Sequence, residues 1–103
     1  MPPKSHTNPE SFPEPLLEVK EPKLYAVLLH NDDYTTMDFV VDLLMRVFGK
    51  NAQDAADVMM NVHNQGRGVA GIYPYDIAMT KRILAESMAA ERDFPLRLTV
   101  EEV

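Results

Sequence analysis

Asn31-Asp32-Asp33 is the densest polar cluster of the chain, an amide followed by two carboxylates directly after the apolar run Leu24 to Leu29 and His30. Three chemistries fit it. The simplest is an Asx-type turn, in which these side chains satisfy nearby backbone donors. The second is an oxygen-ligand site for a divalent metal, with Asp32 and Asp33 as ligands and phosphoryl transfer or hydrolysis as the reaction. Against it, the chain holds no D-x-D-x-D-G loop, no further spaced pair of carboxylates and no phosphate-cradling glycine loop. The third is recognition of an amine. An amide oxygen and two carboxylates held together accept charge-assisted hydrogen bonds from an ammonium, each worth roughly 1.5–3 kcal/mol when sheltered from water.

His63 is the second candidate. It falls in a helical stretch, one residue after Val62 and four after Met59, where a histidine packs or caps as readily as it binds a ligand. A catalytic histidine needs a nucleophile within reach, and the chain has no Cys and no serine in a recognisable elbow. Enzyme is therefore the weaker class, its concrete form a metal hydrolase using Asp32, Asp33 and His63. Met37, Met59, Met60, Met79 and Met88 add adaptable apolar surface, either as core filling or as a wall that accepts several large side chains.

These residues need elements to hold them. Leu24 to Leu29 reads as a short buried strand, ended by the turn-type cluster His30-Asn31-Asp32-Asp33. Thr35 with Asp38 three residues on resembles a capping box. Behind it Val40, Leu43, Leu44 and Val47 form a single helical stripe that Gly49 can stop. Asn51 suits the cap of a second helix to about Gln65, with Ala55, Val58, Met59 and Val62 facing inward and Gly66 as its stop. Val69 to Tyr73 reads as a second strand, and Pro74 sits where the first turn of a third helix tolerates proline. That helix runs to about Arg92 with Ile77, Ile83, Leu84 and Met88 as its apolar positions. Pro95 opens a last strand in which Leu96, Leu98 and Val100 alternate with Arg97 and Thr99. The order β-α-α-β-α-β predicts an α/β (α+β) sandwich, a three-stranded antiparallel sheet packed against helices.

The 103 residues carry 16 acidic and 10 basic side chains, a formal net charge of −6, which argues against a nucleic-acid partner. An apolar run of six residues is far short of the roughly 20 a membrane span requires, and no secretory signal is seen. The absence of Cys rules out disulfides and thiolate zinc sites. Together these predict a small, acidic, soluble, cytoplasmic domain, and the further expectation is a monomer without cofactor. Six of the eight prolines fall in residues 1–22, which hold few large apolar side chains. That stretch reads as a disordered arm, and 23–103 as one folded domain.

Val27-Leu28-Leu29-His30-Asn31-Asp32-Asp33-Tyr34-Thr35-Thr36-Met37-Asp38-Phe39-Val40, then Met59-Met60-Asn61-Val62-His63-Asn64-Gln65-Gly66 and Pro95-Leu96, resembles the ClpS adaptor family over essentially all of 23–103. The separate pieces are weak signals; N-D-D-Y-T-x-M with a downstream V-H-x-x-G is a specific combination. The resemblance implies a binding protein that recognises N-degrons, polypeptides beginning with Leu, Phe, Tyr or Trp. It would deliver them to a ClpA- or ClpC-type AAA+ unfoldase for degradation by ClpP. Carried over by position, Asn31, Asp32 and His63 would contact the free α-amino group, with Asp33 supporting the loop. Leu29, Thr35, Met37, Val40, Met59, Val62 and Leu96 would line the side-chain pocket, Met37 acting as a gate against β-branched residues. Tyr34, Asp76 and Lys81 would dock onto the unfoldase N-domain, and the arm would engage the unfoldase during hand-over. Three positions depart from the family pattern: Thr36 for a common proline, His30 for an aliphatic residue at the pocket edge, and Asp76 for a more usual Glu. A ribosomal-stalk-like interaction domain shares a small fold of this kind without requiring the Asn-Asp-Asp and His residues.

Overall fold

Alternation along the first strand decides which side of the sheet receives the helices. Val27 and Leu29 point into the core, whereas Ala26, Leu28 and His30 point the other way. The computed structural model describes residues 22–103, so the arm assigned to 1–22 lies, Pro22 apart, outside the described residues. Within them β1 (Leu24–His30), α1 (Met37–Arg46), α2 (Ala52–Gln65), β2 (Arg67–Pro74), α3 (Tyr75–Glu91) and β3 (Arg97–Glu102) follow in the expected order. β1 is the central strand of an antiparallel sheet ordered β2-β1-β3, with a register shift against β2 between Val27 and Leu28. Helices cover one face only. The core between the layers joins Val27, Leu29, Leu43, Leu44, Val62, Leu96 and Leu98. Complete burial of a leucine such as Leu29 or Leu43 contributes about 1.5–3 kcal/mol.

The helix ends show how local chemistry sets the boundaries. Asn51 caps α2 as expected, its Oδ1 accepting from the Asp54 N–H at 2.8 Å, and Gly66 ends that helix at φ 90°. The start of α1 differs from expectation. Thr36, not Thr35, is the cap, its hydroxyl accepting from the Phe39 N–H at 3.2 Å. Thr35 lies one residue earlier, inside the Asp32 turn, with its hydroxyl donated to Asp32 and its N–H bonded to the same carboxylate. Asp38 therefore falls one position short of closing a capping box. At φ −76° the Thr36 backbone lies in the range proline adopts, so the exchange at this position preserves the turn and adds a side-chain cap. β2 begins at Arg67 rather than Val69, and β1 runs on to His30, because those two residues pair with each other. Pro74 is the residue before α3 rather than its first turn.

The orientation of α3 is the main correction. Ile77, Ile83 and Leu84 were the expected inward positions, yet all three are exposed. The buried residues are Ala78, Ala85 and Ala89, with Met88 half-buried. Small side chains let the helix lie close to the sheet, and Glu86 fastens it there by accepting from the Leu98 N–H at 3.1 Å. Lys81 ties the same helix to the end of α1, its Nζ donating to the Val47 carbonyl at 2.7 Å above the Tyr73 ring. No helix among the described residues is long and apolar enough to cross a membrane.

Candidate functional site

The turn after β1 is built by Asp32. Its Oδ1 accepts from the backbone N–H groups of Tyr34 at 2.8 Å and Thr35 at 2.7 Å, and its Oδ2 accepts from the Thr35 hydroxyl at 2.8 Å. Burial pushes the Asp32 carboxyl up, but the Thr35 and Tyr34 donors outweigh it and hold the carboxyl below its ordinary value. A carboxylate offers about four lone-pair sites, so these three bonds leave Oδ2 able to accept again. The Asx turn therefore leaves the same carboxylate able to accept from an amine. Asn31 is set from the other side, its N–H donating to the Gly66 carbonyl at 2.9 Å. That bond brings the end of β1 against the end of α2, where His63 lies one turn before the glycine.

Between these elements opens a cavity of about 290 Å³. Asn31, Asp32, Asp33 and His63 border it with polar groups, while Met37, Val40, Met59 and Val62 border it with apolar ones and Thr35 stands among them. Among the described residues the side chains of Asn31, Asp33 and His63 have no hydrogen-bonding partner. Met37, at the first position of α1, is 43% exposed and stands at the rim, whereas Val62 is buried. The cavity thus offers acceptors to an ammonium and apolar walls to a hydrocarbon or aromatic side chain. Its size matches one amino-acid residue better than a cofactor.

Nine of the positions assigned to substrate are thus brought together. Leu29 and Leu96 are not among the residues that border the cavity. The alternation of β1 turns Leu29 into the core with Val27, and Leu96 packs in the same core ahead of β3. His30 also stands away from the cavity, on the uncovered face of the sheet, where its Nε2 lies 2.7 Å from the Thr99 hydroxyl. Burial lowers the His30 pKa, and the neighbouring Arg97 and Arg67 lower it further. Of the docking positions, Tyr34 is 74% exposed and Asp76 is exposed in the first turn of α3. Lys81 is half-buried and spends one N–H on Val47. Among the described residues no three His, Cys, Asp or Glu side chains, Asp32, Asp33 and His63 included, are grouped as a metal ion would require.

Known proteins share this sequence and fold. The family model for the ATP-dependent Clp protease adaptor protein ClpS matches residues 20–99. The ClpS of Acetivibrio thermocellus is 56% identical over 85 residues, spanning 82% of this chain and 86% of the relative. The ClpS of Helicobacter hepaticus is 48% identical over 99 residues, spanning 96% and 98%. Among solved structures, Agrobacterium tumefaciens ClpS2 bound to L-phenylalaninamide superposes with a TM-score of 0.78 at 41% identity, covering 81% of this chain and all of that one.

Proposed function

The chain belongs to the ClpS family of Clp protease adaptors, and we propose that its cavity receives the first residue of an N-degron substrate. The observation that carries this reading is one cavity bordered both by the acceptors Asn31, Asp32, Asp33 and His63 and by the apolar Met37, Val40, Met59 and Val62. Asn31, Asp32 and His63 take the α-ammonium, with Asp33 beside them. A Leu, Phe, Tyr or Trp side chain enters between Met37, Val40, Met59 and Val62, with Thr35 at its edge and Leu29 and Leu96 supporting the wall from the core. Met37 crowds the rim, so a branch at Cβ is disfavoured. A phenylalanine derivative is the ligand in the Agrobacterium structure, which supports an aromatic first residue here. The adaptor then docks on the N-domain of a ClpA- or ClpC-type unfoldase through Tyr34, Asp76 and Lys81, and residues 1–22 engage the unfoldase during hand-over to ClpP. Lys81 keeps two N–H groups for that contact. The protein acts as a cytoplasmic monomer and needs no cofactor.

Burying one Leu or Phe side chain contributes about 1.5–3 kcal/mol, and the ammonium adds a few charge-assisted bonds before association costs are subtracted. Micromolar-scale affinity follows, which suits a carrier that must release its cargo. Titration with peptides beginning with Leu, Phe, Tyr or Trp tests the reading directly. Acetylated and Ile-initiated versions should lose binding; binding that survives acetylation overturns the amine mechanism. The His63 imidazole offers a ring nitrogen that can accept from an ammonium. His63→Leu should therefore weaken binding by about tenfold. Unchanged affinity in that variant removes His63 from the acceptor set.

A further inference from the structure

A second groove, of about 450 Å³, is bordered by Leu28, Asn61, Gln65, Arg67, Gly68 and Val69. The two share a wall. Val62 borders the first cavity, and its Cγ2 would lie 3.0 Å from a side-chain carbon placed on Gly68, so only glycine lets α2 approach β2 this closely. The rim between them is short as well, because Asn31 is bonded to Gly66, the residue before Arg67. Next to this rim the sheet carries a row of basic side chains on its uncovered face. His30 pairs in register with Arg67 on β2 and with Arg97 on β3. In-register neighbours of this kind place their Cβ atoms about 4.5–5.5 Å apart.

We propose that this groove and the Arg67–Arg97 pair form a second subsite, which holds the polypeptide segment following the first residue and favours acidic side chains at its third and fourth positions. The inference rests on the amine-binding reading of the first cavity. The Asn61 and Gln65 carboxamides offer both donors and acceptors to a main chain, and Leu28 and Val69 provide an apolar floor. An extended chain advances about 3.3 Å per residue, so the third and fourth residues reach the row while the second is still beside the acidic turn. The charge is available at neutral pH. Arg67 meets Glu101 at 3.3 Å, but both side chains are about half exposed, and such pairs contribute little and exchange readily. Arg97 has no carboxylate partner among the described residues. With a formal net charge of −6, the chain as a whole repels acidic ligands, so the preference is confined to positions close to the row.

Anisotropy titration of the full chain against three labelled peptides tests this. All begin Leu-Ala; one continues Glu-Glu, one Gln-Gln, and one is the Gln-Gln peptide with its Glu pair moved to the eighth and ninth positions. The Glu-Glu peptide should bind about three- to tenfold tighter than Gln-Gln at low salt, and the margin should shrink below about twofold near 0.5 M salt. The displaced Glu pair should give no gain. In R67Q/R97Q, whose fold is checked by its thermal transition, the difference between Glu-Glu and Gln-Gln should vanish, and R97Q alone should halve it on a logarithmic scale. Equal binding of the two by the unmodified chain, or a preference that persists in the double variant, overturns the subsite. Acetylation-sensitive binding without an acid preference defeats the subsite alone, whereas binding indifferent to acetylation defeats the amine reading and the subsite with it.

Discussion

Asp32→Ala is expected to weaken binding of a Leu- or Phe-initiated peptide by at least about a hundredfold, equivalent to about 2.7 kcal/mol. Two losses combine in that figure. The ammonium forfeits a charged acceptor, a contact worth roughly 1.5–3 kcal/mol. The turn forfeits three hydrogen bonds from Tyr34 and Thr35, which set the path of the segment between Asn31 and Met37. Asp32→Asn separates the two, because an amide oxygen can still accept from the backbone N–H groups and the Thr35 hydroxyl can rotate to accept from the amide. The Asn variant should keep the turn and lose about tenfold, through charge alone. If the Asn variant binds as tightly as the unmodified chain while the Ala variant does not, the carboxylate serves the turn and not the ligand. The same group contributes to stability in a defined pH window. Because its folded pKa is lowered, its contribution is complete above the unfolded value near 3.9 and is lost as pH falls through the folded value.

The second large effect concerns folding. Ala85→Leu should destabilise the domain by about 1–3 kcal/mol or more, whereas Leu84→Ala, one residue away, should change it by no more than about 0.5 kcal/mol. Ala85 is completely buried between α3 and the sheet, and Leu84 is 50% exposed. The helix cannot retreat to admit a larger side chain. Glu86 holds it to Leu98, and Lys81 holds it to Val47. For a domain of this size the Ala85→Leu loss corresponds to a Tm lowered by roughly 5–20 °C. Thermal unfolding of both variants decides the matter; a larger loss in Leu84→Ala would mean that α3 presents its other face to the sheet.

That contrast also marks the limit of what the residues reveal on their own. Hydrophobicity ranked Ile77, Ile83 and Leu84 above Ala78, Ala85 and Ala89, but a helix pressed closely on a sheet selects for small volume instead. Nothing local announces that distance, since it is set by the register of three strands remote in sequence. Elements with a strong internal signal fared better. The stripe Val40, Leu43, Leu44, Val47 and the cap at Asn51 appear where periodicity and capping chemistry place them. Thr35 and Thr36 show the intermediate case. Both are competent caps, and the choice between them depends on Asp32, a neighbour whose own role was open among three readings. At the cavity, the composition of the wall was legible, because Met37, Met59, Val62 and the polar cluster lie in short specific segments. The basic row was not, because Arg67, His30 and Arg97 meet only through strand register.

Gly66 carries one consequence beyond its role as a helix stop. Its N–H donates to the Val62 carbonyl and its carbonyl accepts from Asn31, so one residue in a left-handed conformation fastens the acceptor end of the cavity to the helix that forms the apolar wall. Folding itself therefore sets the backbone distance between Asn31 and α2. In the proposed mode of binding, a ligand bridging the two meets backbone already in place, and that part of the conformational entropy is not lost again on association.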